Sequence, residues 1–308
     1  MTMQSVTVRV PAKINLALAV GGLESDGYHP LTTVYQAVDL CDEIRASAVD
    51  DGDITLTVTY DGRSATETAE VPVDENNLAY RAADLLRRRV GVDDGIALSI
   101  RKAIPVSGGM AGGSADAAAA LVAADAIWGL GTSRQDLLAV AAELGSDVPF
   151  CLFGGTAMGT GRGDQVSPVL ARGRYCWVLG LADRGLSTPV VYAEFDRLNE
   201  SAPPAEPQVA PALLSALRAG DPAALGAVLS NDLQEAALSL RPELTETLAV
   251  GEECGALGSI VSGSGPTTMF LAGDEEHALD IALALTGAGV CADVVQAAGP
   301  APGARVIA

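Results

Sequence analysis

Strand-like patterns of apolar residues dominate the first sixty positions of the chain. Val6, Val8 and Val10 alternate with polar residues, and a strand-like run continues from Ile14 to Val20. The run from Ile54 to Tyr60 again has a period of two. Because side chains of a strand point alternately to the two faces of a sheet, this pattern predicts that a β-sheet opens the fold.

A helical pattern follows between residues 74 and 91. Residues 74–77 offer side chains that cap helix N-termini, and three arginines at 87–89 stand near Gly91, as is typical of a helix end. The apolar residues between them recur on one helical face: Leu78, Ala82, Leu85 and Leu86. An amphipathic helix is therefore predicted. The arginines could also form a nucleic-acid patch, but a solvated helix end fits an acidic chain better.

The rest of the chain mixes both patterns. Further strands are predicted at residues 96–100, 175–181, 260, 267–271 and 292–296. Further helices are predicted at residues 114–127, 133–144, 211–253 and 274–286. The stretch 159–174 is rich in turn residues, and it is taken as the domain boundary. An α+β protein with domains at 1–165 and 166–308 is predicted.

Composition narrows the function. The 308 residues include 19 Lys plus Arg against 39 Asp plus Glu, a formal net charge of −20, which disfavours binding to nucleic acid or to a membrane surface. Only two lysines and two histidines occur, so a histidine-rich metal site is excluded. Five cysteines without a CxxC pair predict free thiols in a reducing compartment. With no signal peptide apparent, a cytoplasmic protein is expected.

The strongest local signal is the segment PVSGGMAGGSAD at residues 105–116. Clustered glycines let backbone N–H groups approach an anion, and the helix that follows adds a positive dipole end, so the segment predicts a phosphate cradle. A tight strand-to-helix turn is the alternative, although it needs fewer glycines. No lysine follows as in a Walker A loop, GxGxxG is absent, and GxSxG fails at Asp116.

Lys13 and Asp147 are the residues that could perform phosphoryl transfer beside this cradle. Transfer to an alcohol requires a group that orients and deprotonates the hydroxyl, together with positive charge against the phosphates. A carboxylate and an ammonium can divide that work. Alternatively, Lys13 is a charge on an edge strand and Asp147 is a turn residue before Pro149.

Two further loops are candidates for ligand contact. In DGYHP at residues 26–30, Tyr28 could stack on a base and His29 could bond its edge, although an ordinary turn is the simpler interpretation. The glycine-serine loop VSGSGPTT at residues 261–268 could bring backbone groups to a second anion, or it could be a plain hairpin.

The motifs resemble those of the GHMP kinase superfamily. PAKINL at 11–16, the glycine-rich loop from Pro105 to Ala115 and SGSGP at 262–266 occur in that superfamily's order. With DGYH at 26–29 and GSDVPF at 145–150, the chain is similar to the branch acting on 4-diphosphocytidyl-2-C-methyl-D-erythritol. The resemblance implies a mixed α/β N-terminal domain and a ferredoxin-like α+β C-terminal domain. It also implies transfer of the γ-phosphoryl group of ATP, with Mg²⁺, to the substrate's 2-hydroxyl in the non-mevalonate isoprenoid pathway.

The resemblance also assigns roles to residues. Lys13 and Asp147 fall on the catalytic pair. ATP contacts fall on Pro105, Val106, Ser107, Gly108, Gly109, Met110, Ala111, Gly112, Gly113, Ser114 and Ala115, with Asn77 and Lys102 at the adenosine end. Substrate contacts fall on Asn15, Tyr28, His29, Thr188, Tyr192, Gly263, Ser264 and Gly265, and Tyr28 and Tyr192 would sandwich the cytosine. A monomer or weak homodimer is expected.

The loop departs from the superfamily pattern. Ser107, Ala111 and Ala115 replace the expected Gly, Gly and Ser, and Asp116 stands where Asn is common. A left-handed backbone at 107 or 111 would cost about 1 kcal/mol without glycine, and the metal ligands stay unassigned. Two alternatives remain: another GHMP kinase, acting on homoserine, mevalonate or galactose, and a binding protein without catalysis.

Overall fold

Two β-sheets and the helices packed against them make up the described residues, 5–61, 71–106, 108–202 and 204–308 of a computed structural model. The strands are β1 (Ser5–Val20), β2 (Leu31–Val49), β3 (Ile54–Tyr60), β4 (Gly95–Lys102), β5 (Thr156–Thr160), β6 (Gln165–Pro168), β7 (Tyr175–Leu181), β8 (Ser230–Asn231), β9 (Gly258–Val261), β10 (Thr268–Ala272), β11 (Asp293–Gly299) and β12 (Arg305–Val306). The helices are α1 (Leu78–Val90), α2 (Gly112–Trp128), α3 (Arg134–Leu144), α4 (Val148–Phe153), α5 (Thr188–Leu198), α6 (Pro211–Ala219), α7 (Pro222–Gly226), α8 (Gln234–Leu240), α9 (Leu244–Glu253) and α10 (Glu275–Ala288). The α+β class is confirmed.

The first sheet has the order β12-β1-β2-β4-β3, with β5 beside β2, β6 beside β5, and β8 parallel to β1. β1 is therefore flanked on both sides, by β2 along its length and by β12 and β8 over short stretches. Lys13 lies on this strand with only 6% of the residue exposed. Because Lys13 is buried, the alternative of a solvated charge on an edge strand is wrong.

Helix α2 packs on the first sheet and among α1, α3 and α4. Its alanines are nearly all buried, and their small side chains allow the helix to lie close to its neighbours. The expected cap of α1 is confirmed, because the Asn77 side chain accepts a hydrogen bond from the backbone of Ala79 (2.8 Å). Among the described helices, none is long and apolar enough to cross a membrane.

The second sheet has the order β11-β7-β10-β9, with every pairing antiparallel. If the four strands of this sheet are numbered in chain order, their order in the sheet is 4-1-3-2, which matches the expected ferredoxin-like arrangement. Trp177 of β7 donates to the side chain of Gln36 on β2 (2.9 Å), so the two sheets are joined through a buried polar contact.

Two short strands from the second half of the chain belong to the first sheet. β8 and β12 come from the second half but pair with β1 in the first sheet. The turn-rich stretch 159–174 overlaps the β5–β6 hairpin, which sequence reasoning missed because its residues favour turns. The division at residue 165 remains a prediction. The five cysteines are free thiols, as expected.

Candidate active site

A cleft of about 770 Å³ opens where β1, both glycine-rich loops, the start of α4 and the start of α5 meet. It gathers most residues that the sequence singled out: Lys13, Asn15, Tyr28, His29, Gly108, Gly109, Ala111, Gly112, Gly113, Ser114, Asp147, Thr188, Tyr192, Gly263 and Ser264. Pro105, Val106, Met110, Ala115 and Gly265 belong to the same segments but lie outside the cleft lining. Ser107 lies outside the described residues. The individual roles of all these residues remain predictions.

Lys13 and Asp147 reach the cleft from different elements. The pairing of β1 with β2 shifts register on either side of Lys13, between Pro11 and Ala12 and between Asn15 and Ala17, and such bulges re-aim side chains. Asp147 stands at the N-cap of α4 and makes no capping bond with its side chain, so the carboxylate is available to the cleft. Its Oδ2 lies 3.9 Å from Lys13 Nζ. The two charges form one electrostatic unit.

A chain of buried hydrogen bonds fixes the Lys13 ammonium. Lys13 Nζ donates to Asn15 Oδ1 (2.7 Å), and Asn15 Nδ2 donates to the hydroxyl of Thr33 (2.9 Å). Thr33 donates in turn to the carbonyl of Ala17 (2.7 Å). Each of these three side chains donates to the next acceptor, so the hydrogen-bonded chain holds the Lys13 ammonium in place on its flexible stem.

Tyr35 lies beside this pair, although sequence reasoning passed over it. Its ring centroid is 5.5 Å from Lys13 Nζ, and the ring packs against Phe150. Burial, together with the negative charge of Asp147, raises the pKa of Tyr35 well above its ordinary value. The phenol is therefore neutral and adds no charge to the catalytic pair.

The first glycine-rich loop packs directly on the second. A Cβ at Gly109, where φ is +74°, would lie 2.6 Å from the carbonyl oxygen of Ser262 and 2.8 Å from that of Gly265, so only glycine fits. The backbone N–H of Lys13 donates to the carbonyl of Met110 (3.3 Å). The first glycine-rich loop and β1 are thereby held together.

Ala111 adopts a left-handed backbone, with φ +59°, at the N-cap of α2. The superfamily pattern has glycine at this position. Alanine costs about 1 kcal/mol relative to glycine in a left-handed backbone conformation. We expect Ala111→Gly to raise the free energy of unfolding by about 1 kcal/mol, measured by urea titration. Ala115→Gly, inside α2, is the matched control and should lower it by a similar amount. A loss of stability in both variants would contradict the strain at 111.

The second glycine loop is held against the side chains of Lys13 and Asn15. Asn231 of β8 donates to the carbonyls of Val261 (2.8 Å) and Gly263 (2.7 Å). A Cβ at Gly263 would lie 3.1 Å from Asn15 Oδ1 and 3.3 Å from Lys13 Nζ. The hydroxyls of Ser264 and Thr188 are 3.0 Å apart, which links the loop to α5.

An aromatic group lines the other end of the cleft. Thr188 and Tyr192 are four residues apart on α5, so both face the same side of that helix. The centroids of the Tyr192 and His29 rings are 5.1 Å apart. Burial raises the pKa of the Tyr192 phenol. His29 Nδ1 donates to the carbonyl of Gly21 (2.8 Å), and its Nε2 lies 3.5 Å from Asp196 Oδ2. A flat ring can stack here beside polar groups.

Asn77 and Lys102 do not line the cleft themselves, although each lies next to a residue that does, Leu78 and Gly112 respectively. The Asn77 side chain caps α1 and donates to the carbonyl of Pro72 (2.7 Å). The Lys102 side chain is 2% exposed and donates to both Asp42 and Asp116. The polar atoms of both side chains are thus hydrogen-bonded inside the protein, and their contact with the adenosine end of ATP stays a prediction.

The group of Asp42, Lys102 and Asp116 lies beneath the glycine loop. Asp42 Oδ1 accepts hydrogen bonds from the backbone N–H groups of Ala103 (2.6 Å) and Ile104 (2.8 Å). Burial raises the pKa of Asp116 to about 8 despite the nearby ammonium. The lysine thus ties the end of β4 to α2 on either side of the loop.

Four cleft residues with polar side chains were missed by sequence reasoning: Tyr35, Ser146, Arg162 and Asp196. Ser146 adjoins Asp147, and Asp196 lies one helical turn beyond Tyr192, so helical spacing from an assigned residue could have found Asp196. Arg162 comes from the β5–β6 turn, and its local sequence carries no signal for this cleft.

Comparison with known proteins supports the resemblance to GHMP kinases that the motifs showed. The description "GHMP kinases N terminal domain" matches residues 77–155, and "GHMP kinases C terminal" matches residues 213–291. A 4-diphosphocytidyl-2-C-methyl-D-erythritol kinase from Thermobifida fusca is 56% identical over 98% of each chain.

Solved structures agree with these matches. A crystal structure of 4-(cytidine 5'-diphospho)-2C-methyl-D-erythritol kinase is 31% identical, covers 94% of this chain and 98% of its own, and has a TM-score of 0.75. A homoserine kinase from Cytophaga hutchinsonii has a TM-score of 0.74 at 19% identity, covers 100% of this chain and 98% of its own, and shows the shared fold alone. The resemblance found in the motifs is confirmed: the chain belongs to the 4-diphosphocytidyl-2-C-methyl-D-erythritol kinase family of the GHMP kinases.

Proposed function

We propose that the chain transfers the γ-phosphoryl group of ATP to the 2-hydroxyl of 4-diphosphocytidyl-2-C-methyl-D-erythritol, a step in the non-mevalonate route to isoprenoid precursors. The observation that carries the proposal is one cleft with three parts: a glycine-rich loop, the Lys13–Asp147 pair and an aromatic end. ATP, an alcohol and a nucleoside base are the partners that these parts suit.

Asp147 orients the hydroxyl and accepts its proton as the oxygen attacks the γ-phosphorus. Lys13 balances the charge of this carboxylate and of the transferring group. Its buried hydrogen bonds to Asn15 hold the ammonium in place before ATP binds, so less reorganisation is needed during the reaction.

The glycine-rich loop and the first turn of α2 bind the ATP phosphates through backbone N–H groups and the helix dipole. Mg²⁺ usually takes one or two protein oxygens and otherwise phosphate and water oxygens. The donors at the cleft fit that habit, because the Ser114 hydroxyl and the Asp147 carboxylate line it. Among the described residues, no group of three His, Cys, Asp or Glu side chains could hold a metal alone. Bound there beside the Ser114 hydroxyl, the ion would neutralise phosphate charge.

The cytosine stacks between Tyr28 and Tyr192, with His29 at its edge. All three residues line the end of the cleft away from the glycine loop, and the His29 ring is oriented by the Gly21 carbonyl. The diphosphate and the methylerythritol then extend toward Lys13 and Asp147.

Other GHMP kinase substrates and a purely binding role fit less well. The fold is shared with homoserine and mevalonate kinases, so the fold does not choose the substrate. The aromatic end of the cleft suits a base, which homoserine, mevalonate and galactose lack. A protein without catalysis would not need Lys13 and Asp147 together in the cleft.

An assay of ADP release tests the proposal. Purified protein with ATP and Mg²⁺ is offered 4-diphosphocytidyl-2-C-methyl-D-erythritol, homoserine, mevalonate or galactose in turn. The proposal predicts turnover of the cytidine substrate at least about 10³-fold faster at equal subsaturating concentration, because the other alcohols leave the base site empty. Comparable ADP release with homoserine or another alcohol would overturn it.

Tyr192→Ala should raise KM for the cytidine substrate about 10-fold or more and leave kcat within a few-fold. Stacking on a base is worth about 1–3 kcal/mol and is felt equally in the ground and transition states. Steady-state kinetics measures both constants, and Tyr192→Phe, which keeps the ring, should leave KM within about twofold. An unchanged KM in Tyr192→Ala would place the base elsewhere.

A further inference from the structure

The Tyr28 ring is held by two charged side chains, although it projects from the loop between β1 and β2. The residue is 52% exposed, and the guanidinium carbon of Arg162 lies 3.6 Å from the ring centroid. Asp26 holds both partners: its Oδ1 accepts from the Tyr28 backbone N–H (3.0 Å), and its Oδ2 accepts from Arg162 Nη2 (2.9 Å). Asp26, Tyr28 and Arg162 are called the Tyr28 clamp below.

Arg162 reaches the clamp from a turn that is itself fastened. It lies between β5 and β6, where its backbone N–H donates to Asp164 Oδ1 (3.1 Å). The N–H of Leu31, at the start of β2, donates to the carbonyl of Gly161 (2.8 Å). The turn that carries the guanidinium is thereby hydrogen-bonded to the strand that follows the Tyr28 loop.

The charge of Arg162 stands out in this cleft. Among the described residues that line the cleft, two are lysine or arginine: Lys13 and Arg162. The chain as a whole has a net charge of −20. Lys13 is committed to Asn15 and Asp147. Arg162 lies at the opposite end, where its planar group covers an aromatic face, a geometry that a lysine ammonium reproduces poorly.

We propose that Arg162 is a positioning residue for the nucleoside: it covers one face of Tyr28 and, through Asp26, fixes the ring so that the other face is presented to the base. This inference rests on the proposed function. An exposed tyrosine that had to be ordered on binding would weaken affinity, because immobilising a side chain is unfavourable. The Tyr28 clamp orders it beforehand.

Kinetics and binding of single variants test the clamp. For Arg162→Ala we expect KM for the cytidine substrate and Kd for free CDP to rise about 5-fold, the scale of a cation–π contact at a partly exposed site. The kcat and the KM for ATP should stay within about twofold. Arg162→Lys should fall between wild type and Arg162→Ala. The matched control is Arg174→Ala, which removes another exposed arginine–aspartate pair (3.3 Å to Asp39) outside the cleft and should change none of these constants.

A double-mutant cycle separates positioning from direct contact with the substrate. If Arg162 acts through the Tyr28 ring, Arg162→Ala should change KM and Kd less than twofold in a Tyr28→Ala background. Additive effects would show that the guanidinium touches the substrate itself and would overturn the proposal. A KM that is unchanged or lowered in the single variant would overturn it too. Absent wild-type turnover would contradict the proposed function alone, because CDP affinity still decides on the clamp.

Discussion

Asp147→Asn is expected to lower kcat by about 10²-fold or more while KM for both substrates stays within a few-fold. Asparagine keeps the shape and the hydrogen-bonding oxygen of the side chain but cannot take the proton from the hydroxyl. General-base catalysis contributes about 10²–10⁴-fold in enzymes of this kind, so its loss should fall on turnover rather than on binding. Steady-state kinetics with the cytidine substrate and ATP measures both quantities.

The matched control is the same substitution at Asp280, an exposed residue on α10 far from the cleft lining. Asp280→Asn should turn over like wild type. Asp147 is itself partly exposed and makes no capping bond, so Asp147→Asn should fold normally, which thermal unfolding can check. Near-normal turnover in a folded Asp147→Asn variant would remove this residue from the chemistry.

Lys13→Met is the second variant with a large expected effect, again about 10²-fold or more in kcat. Methionine fills much of the buried volume of the lysine stem but supplies no charge against Asp147 and the transferring phosphoryl group. Removing one electrostatic contact to a developing charge typically costs about 10²–10³-fold. Thermal unfolding and kcat, measured on the same preparation, separate loss of chemistry from loss of fold.

Lys102→Met gives the informative comparison, because Lys102 is the only other lysine in the chain. Its loss leaves Asp42 and Asp116 buried without their cation, and breaking such a pair costs about 3–5 kcal/mol. Lys102→Met should therefore unfold at clearly lower urea concentration, whereas Lys13→Met should keep its fold and lose turnover. The opposite pattern, a stable Lys102→Met without turnover and an unstable Lys13→Met, would contradict the roles proposed for the two lysines.

Local sequence carried most of the information about the elements and the catalytic centre. The strand at 175–181 and the helix capped by Ser133 formed as predicted, because period and cap residues act within a few positions. The PAKINL, glycine-loop and GSDVPF segments each sit at the end or middle of such an element. Knowing the motif therefore located Lys13, the loop and Asp147.

Contacts between distant segments could not be predicted in this way. Lys102 pairs with Asp42, 60 positions earlier in the chain, and this buried ion pair has no signal in the local sequence of either residue. Arg162 reaches Asp26 across 136 positions, from a hairpin whose glycine-rich sequence indicated only turns. The pairing of β8 and β12 with β1 could not be predicted either, because strands of two residues are too short to show a period in the sequence.

The position of the transferred phosphorus in the product is the most direct test of whether the 2-hydroxyl is the acceptor. Carbon 2 of the methylerythritol carries a methyl group and no hydrogen, so a phosphate on its oxygen has no hydrogen on the attached carbon. Transfer to the 2-hydroxyl predicts that proton-coupled ³¹P NMR of the wild-type product shows a new phosphomonoester without three-bond coupling to hydrogen, beside an intact diphosphate. A phosphomonoester split by a neighbouring carbinol hydrogen, or no new phosphomonoester at all, would contradict it.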